Sequence, residues 1–321
     1  LLDVKKLAFG PVPSRRLGKS LGINNIPPKL CSYSCVYCQL GKTSKTTVNR
    51  QLFYKPQDIL KEVERKVDNA TAKNEKIDYL TFVPDGEPTL DINLGEEISI
   101  LRKLGKPIAV ITNASLLWLE SVKQDLLKAD YVSLKVDAVS KDLWRRINRP
   151  HKDLRLNAVL KGIQDFAKVF KGTVVSETML VDGLDYTNEF ERIAEFLAKL
   201  KKLNRAYVAV PTRPPAENWV KPAKEEDVNA AFQVFSEKLG LDRVELLTGH
   251  EGNAFAFSGD AEEDLLSIMA VHPMRYEAVR EFLRKANTSW QLIEELLDQG
   301  KLVELEFEGD KYYMRKLLNE N

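Results

Sequence analysis

A parallel α/β fold, either a partial barrel or an open sheet, is predicted for most of the chain, with a small α+β unit of winged-helix order after it. Three observations predict it. Short β-branched runs alternate with longer, charged runs of helical period. The short runs are almost continuously apolar, as in Ala109-Val110-Ile111 and Tyr207-Val208-Ala209-Val210, which marks strands covered on both faces. The rhythm then changes after about Gly240.

Taken in order, strands are expected at 20–25, 77–83, 107–111, 130–136, 173–181 and 206–210. Helices are expected between and after them, at 56–67, 94–104, 116–127, 154–170, 188–200 and 224–239. Six strand-then-helix repeats argue for a parallel sheet with crossover helices. Past them, an apolar run at 244–248 leads into an irregular stretch at 249–259. Helical patterns follow at 262–271, 273–286 and 289–299. The last is opened by Thr288 with Gln291 three residues on, a capping box, and closed by Gly300. Strands at 301–307 and 311–315, joined through Glu308-Gly309-Asp310, complete the winged-helix order.

Composition narrows the class. Of 321 residues 44% are hydrophobic and 30% charged, so a sizeable core forms and long disorder is excluded. The longest apolar stretch, 107–119, is interrupted by Thr112, Asn113 and Ser115 and falls short of the roughly 18 residues a spanning helix needs. No membrane partner is expected, and residues 1–9 lack the order of a signal peptide. The net charge of +1 announces no nucleic-acid partner for the chain as a whole. All three cysteines, Cys31, Cys35 and Cys38, lie within eight residues. That is no disulfide framework; clustered free thiols indicate a reducing compartment, by default the cytoplasm, and a metal.

The cysteines follow the first strand as Cys31-Ser32-Tyr33-Ser34-Cys35-Val36-Tyr37-Cys38. Three thiolates on one tight loop hold three corners of a 4Fe–4S cubane and leave the fourth iron open. An open iron chelates a small molecule, and the amine and carboxylate of S-adenosylmethionine suit it. The competing reading is structural zinc with His151, His250 or His272 as a distant fourth ligand. Zinc sites usually take two short ligand couples, and only one triplet is present.

The spacing C-x3-C-x2-C, with aromatic Tyr37 before the last cysteine and a place after the first strand of a βα series, resembles the radical S-adenosylmethionine superfamily. The resemblance covers roughly residues 8 to 240. It implies a partial parallel (βα)6 barrel of radical SAM type over residues 1–257, followed by a small C-terminal winged-helix-like α+β domain over 258–321. It implies one 4Fe–4S cluster, with Cys31, Cys35 and Cys38 as metal ligands, and S-adenosylmethionine as cofactor. An external electron donor of flavodoxin or ferredoxin type would serve as partner. Asp85-Gly86-Glu87-Pro88, after the second strand, looks like the superfamily's Gly-Glu motif, in which Gly86 and Glu87 bind the methionine amino group. An ammonium needs such an acceptor, and glycine lets the backbone approach.

Further candidates line up along the strand ends. Thr112 and Asn113 supply polar groups for the ribose and carboxylate, whereas Ser115 reads equally as an N-cap. Ser133, Lys135 and Asp137 share one face of the fourth strand by the two-residue period. Polar groups there need partners, which suggests a lined cavity with cofactor contacts; a structural Lys135–Asp137 pair is the alternative. Glu177 in the fifth strand invites the same question. Residues 10–18, 145–150 and 212–215 carry arginines on loops where active sites form, able to grip phosphate or carboxylate groups of a substrate. The catalytic residues beyond these cofactor contacts are not readable. The whole most resembles the branch containing the tRNA wyosine synthases, but without cysteines for an auxiliary cluster.

The winged-helix order raises a second reading, an iron–sulfur or zinc transcriptional regulator. Residues 258–321 carry 8 Lys/Arg against 14 Asp/Glu, a net of −6, which leaves +7 on the remainder. The expected recognition helix bears Glu294, Glu295 and Asp298 and no basic residue. Phosphate-driven affinity needs cations on that face, so DNA reading by this unit is not expected. RNA remains a candidate substrate through the basic barrel.

Overall fold

The structure is a computed structural model that describes residues 7–249 and 252–316. The chain opens with the hairpin β1 (Ala8–Ser14) and β2 (Gly18–Ile23), followed by a long loop holding two short strands, β3 (Leu30–Cys31) and β4 (Lys45–Thr46). Next come α1 (Pro56–Ala72), β5 (Tyr79–Phe82), α2 (Leu94–Leu101), β6 (Ile108–Thr112) and α3 (Glu120–Leu126). They are followed by β7 (Tyr131–Lys135), α4 (Lys141–Ile147), α5 (Leu156–Val169), β8 (Thr173–Met179) and α6 (Glu189–Ala198). The series ends with β9 (Leu203–Ala209), α7 (Glu225–Leu239) and β10 (Val244–Leu247).

The main sheet runs β1-β2-β5-β6-β7-β8-β9-β10, parallel throughout except for β1, which pairs antiparallel with β2. All six expected strand runs are in it. Two strands extend it. β1 escapes a sequence reading because Gly10, Pro11 and Pro13 break the apolar pattern. β10 is the apolar run at 244–248, here a seventh parallel strand beside β9. In a flat sheet with strands about 4.8 Å apart, the two edges would lie some 30 Å from each other. Instead Arg15, in the β1–β2 turn, donates to the Gly249 carbonyl just past β10 at 2.5 Å. Leu17 of the same turn packs in one cluster with Tyr131, Val175, Tyr207 and Leu247. The sheet therefore curls into a partial barrel. Among the described residues β1 and β10 do not pair; Ala256 lies against β1 instead, its N–H donating to the Pro11 carbonyl at 3.0 Å.

The C-terminal elements are α8 (Ala261–Val271), β11 (Met274–Arg275), α9 (Tyr276–Lys285), α10 (Gln291–Asp298), β12 (Leu302–Phe307) and β13 (Asp310–Arg315). Helix, strand, two helices and a hairpin, with the sheet ordered β11-β13-β12, is a winged-helix arrangement. Asp260 caps α8 by accepting from the Glu263 N–H at 2.9 Å. The capping box expected at Thr288 does not form: α10 starts two residues later than a Ser289 start, and the Gln291 amide donates forward to Glu295 at 2.9 Å. Phe255, Leu265, Ile268, Phe282 and Ile293 form the core here, and Phe9 and Val12 of β1 belong to it. The expected division after residue 257 thus passes through one apolar cluster, which also takes in Phe257. A buried ion pair, Lys66 of α1 to Asp264 of α8 at 3.1 Å, ties the two halves together, and Ser258 gives Asp264 two more donors at 2.6 Å. No helix among the described residues is long and apolar enough to cross a membrane.

Candidate active site

The cysteine loop leaves the C-terminal end of β2 and is clamped on both sides. On one side Lys29 N–H donates to the Asp85 carbonyl at 2.7 Å and Glu87 N–H to the Leu30 carbonyl at 3.1 Å. A side chain at Gly86 would put its Cβ 1.9 Å from the Leu30 carbonyl oxygen, so only glycine allows this approach. On the other side Ser34 N–H donates to the Asn148 carbonyl at 3.0 Å and Val36 N–H to Ile147 at 2.9 Å. A turn from strand β5 and the end of α4 therefore fix the loop. The three thiols are half-buried and unbonded to one another.

Side-chain amides reach two of them. Asn113 Nδ2 lies 3.4 Å from Cys31 Sγ, and Asn148 Nδ2 lies 3.5 Å from Cys35 Sγ. Burial pushes all three thiols up, Cys35 to about 12, with Glu87 adding to the rise at Cys31 and Asp137 to that at Cys35. A buried thiolate in such a place needs cationic charge beside it, which an iron cluster supplies. No set of three or more His, Cys, Asp or Glu side chains among the described residues closes on a single metal ion. Three thiols on one loop are the donor set of an iron–sulfur cluster with one corner left open. His250 lies outside the described residues. His272 is half-buried with its Nε2 3.0 Å from Arg213, and His151 faces Asp153 at 3.6 Å.

Glu87 is turned inward and 1% exposed. Its Oε1 accepts from Thr89 N–H at 3.1 Å and from the Thr89 and Thr112 hydroxyls at 2.6 Å; Oε2 accepts from Asn113 N–H at 2.8 Å. It braces the turn that presents Asn113. Ser115 does not cap a helix; its hydroxyl bonds that of Ser32 at 2.6 Å, below Asn113, and α3 starts only at Glu120. Ser133 and Lys135 face the same interior pair. Arg16, rising from the β1–β2 turn, donates to Ser133 Oγ at 3.2 Å and pairs with Glu177, whose other oxygen takes Lys135. The structural partner of Lys135 is thus Glu177 rather than Asp137. Burial would raise the Glu177 carboxyl, but Arg16 and Lys135 outweigh it and hold it at about 2. Asp137 accepts from the Tyr37 hydroxyl, from Asn148 Nδ2 at 2.6 Å and from Met179 N–H at 2.8 Å.

A cavity of about 310 Å³ opens beside the cluster loop. Of the expected residues Tyr37, Cys38, Lys135 and Glu177 line it directly, as do Arg15, Arg16 and Arg213 of the expected arginine loops; Gly86, Glu87, Thr112, Asn113, Ser133 and Asp137 are not in that lining. Gln39 escapes a sequence reading, and so do two sets of contacts made by residues it singles out: the Asn113 and Asn148 amides at the thiols, and the inward pairing of the loop arginine Arg16 with Glu177. Gln39 Nε2 donates to the Val271 carbonyl at 2.8 Å and its Oε1 accepts from Arg213 at 2.8 Å. Those contacts join segments far apart in sequence, which no spacing announces.

Comparison with known proteins agrees with this geometry. The family model of the radical SAM superfamily matches residues 25–197. The chain is 50% identical over 312 residues to a UPF0026 protein of Methanocaldococcus jannaschii, a match covering 97% of this chain and 96% of that one. Two solved structures share the fold. One is a radical SAM methyltransferase from Sphaerobacter thermophilus, with a TM-score of 0.53 and 14% identity over 72% of this chain and 67% of that one. The other is TYW1 with a lysine-pyruvate adduct bound, at 0.50 and 17% over 68% of this chain and 73% of that one. The chain belongs to the radical S-adenosylmethionine superfamily and is an enzyme of S-adenosylmethionine-dependent radical chemistry, with a 4Fe–4S cluster and S-adenosylmethionine as its cofactors.

Proposed function

We propose that this enzyme cleaves S-adenosylmethionine reductively to a 5′-deoxyadenosyl radical and uses it to modify a substrate that enters the barrel cavity. Cys31, Cys35 and Cys38 are the three protein ligands of the cluster. When bound, cluster and cofactor supply one-electron chemistry at a carbon–sulfur bond. The observation that carries the reading is the clamped three-thiol loop beside a cavity at the strand ends whose mixed wall includes Tyr37, Cys38, Lys135 and Glu177.

The chain's own residues then have distinct tasks. Asn113 and Asn148 donate toward cysteine sulfur, which stabilises thiolate charge and orients the ligands. Gly86 and the Glu87-braced turn present the acceptor side of the cofactor's ammonium site, with Thr112 and Asn113 beside it. Ser133, Lys135 and Asp137, with Tyr37, form the wall on which ribose and carboxylate rest. Lys135 stays protonated in that wall: burial opposes the charge, but Glu177 and Asp137 raise it above its ordinary value. An acidic one-electron donor of flavodoxin or ferredoxin type would reduce the cluster, and RNA is a candidate substrate through the net +7 of residues outside 258–321. Helix α10 carries Glu294, Glu295 and Asp298 and no Lys or Arg, which weighs against a regulator that reads DNA with it.

The test is anaerobic reconstitution with iron and sulfide, followed by reduction in the presence of S-adenosylmethionine. About four irons per chain and release of 5′-deoxyadenosine are expected. Stoichiometric zinc with no iron, or a reduced cluster that leaves the cofactor intact, would overturn the reading.

A further inference from the structure

Resting on that reading, we propose that the outer face of the cluster loop is the docking surface for the electron donor, a small acidic carrier protein of flavodoxin or ferredoxin class. Each cleavage of the cofactor consumes one electron. The donor is oxidised by one electron, the cluster is reduced by one, and no covalent bond forms or breaks at this face. The electron has to arrive from outside at three half-buried thiols.

Charge is unevenly spread around that loop. The chain is near balance, with 48 Lys/Arg against 47 Asp/Glu, yet residues 24–55, between β2 and α1, carry five Lys/Arg and no acid. Residues 145–155, the last turn of α4 and the connection to α5, carry five more and a single acid, Asp153. The two segments meet on the loop backbone. Ser34 N–H donates to the Arg149 carbonyl at 3.2 Å, His151 N–H to the Ser32 carbonyl at 2.9 Å, and the Thr43 hydroxyl to the Tyr33 carbonyl at 2.8 Å. Lys42, Lys45, Arg145, Arg149 and Lys152 are exposed. Lys42 and Arg149 share one carboxylate, Glu217, so that trio keeps a positive charge. Arg50, by contrast, is paired with Asp125 and plays no part.

The face also has a shape. Arg145, Arg149, His151 and Lys152, with Trp144, Pro150 and Leu154, line a depression of about 200 Å³. It shares no residue with the barrel cavity, so the grip here serves something other than the reacting part of the substrate. An electron, in contrast, gains a short way in: one hydrogen bond and one peptide link exposed Arg149 to Cys35, through Ser34. Trp219, 47% exposed, stands two residues after Glu217, whose N–H donates to the Val36 carbonyl at 3.1 Å. Cations beside an exposed aromatic suit a carboxylate-rich protein surface: Arg and Trp anchor interfaces, and opposite charge steers the encounter.

The experiment uses the full chain with its cluster reconstituted and S-adenosylmethionine bound. Cluster reduction is followed anaerobically by loss of visible absorbance, with reduced flavodoxin as donor and, separately, with dithionite, a small reductant that needs no docking. Lys42→Glu, Arg145→Glu and Lys152→Glu combined should slow reduction by flavodoxin about tenfold or more, flatten its salt dependence and leave the dithionite rate unchanged. The control makes the same charge change at the opposite end of the sheet, with Lys103→Glu, Lys171→Glu and Lys201→Glu before β6, β8 and β9, and should keep the wild-type rates. If the reversal also lowers the dithionite rate, the neutral set Lys42→Gln, Arg145→Gln and Lys152→Gln decides, with a smaller loss expected for flavodoxin alone. An unchanged flavodoxin rate, or an equal loss in the control, overturns the proposal. So does a reversal that keeps its flavodoxin rate but loses binding of a random RNA in fluorescence anisotropy, which would give the face to RNA. Release of 5′-deoxyadenosine by the wild type under dithionite reports on the enzyme reading by itself, because docking is read from cluster reduction alone.

Discussion

The cavity has two walls of opposite construction. Beside the cavity, the cluster side is closely tied: the Glu87 carboxylate and the amides, hydroxyls and backbone groups of residues 31–38, 85–89 and 112–115 satisfy one another over short paths. The other wall is assembled from Arg15, Arg213 and His272, each brought by a different part of the chain. The first wall resembles what every member of the superfamily needs, a place for the cluster and its cofactor. The second is where this chain can differ from its relatives. Chemistry shared by a family sits in contiguous motifs, and selectivity sits where separate segments meet.

That contrast can be broken most sharply at the thiols. Replacing Cys31, Cys35 or Cys38 with Ala should abolish iron binding altogether, by iron analysis and loss of visible absorbance. The (βα) core, whose apolar cluster packs chiefly around the strands and helices, should keep its far-ultraviolet circular dichroism.

The next largest effect is expected at the seam that carries α8, and with it the second wall. Lys66→Met leaves the Asp264 carboxylate buried without its cation, a loss of about 3–5 kcal/mol in denaturant unfolding. Iron content of the folded fraction should stay as in the wild type. Loss of the cluster here would mean that the two walls are not separable.

Glu177 sits where the walls touch, between Arg16 and Lys135. Its carboxyl is held at about 2 in the fold against an ordinary 4.5, so the fold favours the ionised form. The stabilisation is therefore complete above about pH 4.5 and is lost as pH falls toward 2. At neutral pH, Glu177→Gln should cost roughly 3 kcal/mol, and the gap to wild type should close through that window. Thermal melts at several pH values would check it; a gap that persists at pH 2 would assign the effect to packing.

The smallest effect is expected at Glu87. Glu87→Ala frees the Thr112 hydroxyl and the Thr89 and Asn113 amides that now meet its carboxylate. S-adenosylmethionine affinity should fall by about 1.5–3 kcal/mol in calorimetry, with iron retained. Unchanged affinity would leave the turn a purely structural brace.

How far the sequence carries depends on the same division. The cysteine triplet, Gly86 and the one-faced spacing of Ser133 and Lys135 are local, and local period and spacing express them directly. The six central strands are legible because burial on both faces makes them apolar throughout. β1 is not, since its prolines and glycine belong to an edge strand. Asn148 lies in the arginine-bearing segment 145–150, but nothing in an Asn-Arg-Pro sequence says that its amide meets a thiol. The brace role of Glu87 was also hidden, because its partners Thr112 and Asn113 arrive from the neighbouring strand. Arg15 and Arg213 were visible as loop arginines; their place on one cavity lining needed the curl of the sheet.

Phe9 and Val12 carry a consequence for the making of the molecule. They pack with Leu265, Ile268 and Phe282, about 250 residues further on, so one of the first strands to leave the ribosome completes its burial only when the C-terminal helices exist. At roughly 5–20 residues per second of synthesis, β1 waits for tens of seconds with an apolar face uncovered. Closing so long a loop is slow, and the (βα) core has to hold its shape meanwhile. The nascent chain is therefore most exposed to aggregation and to chaperones during this interval, and the growing C-terminus ends it.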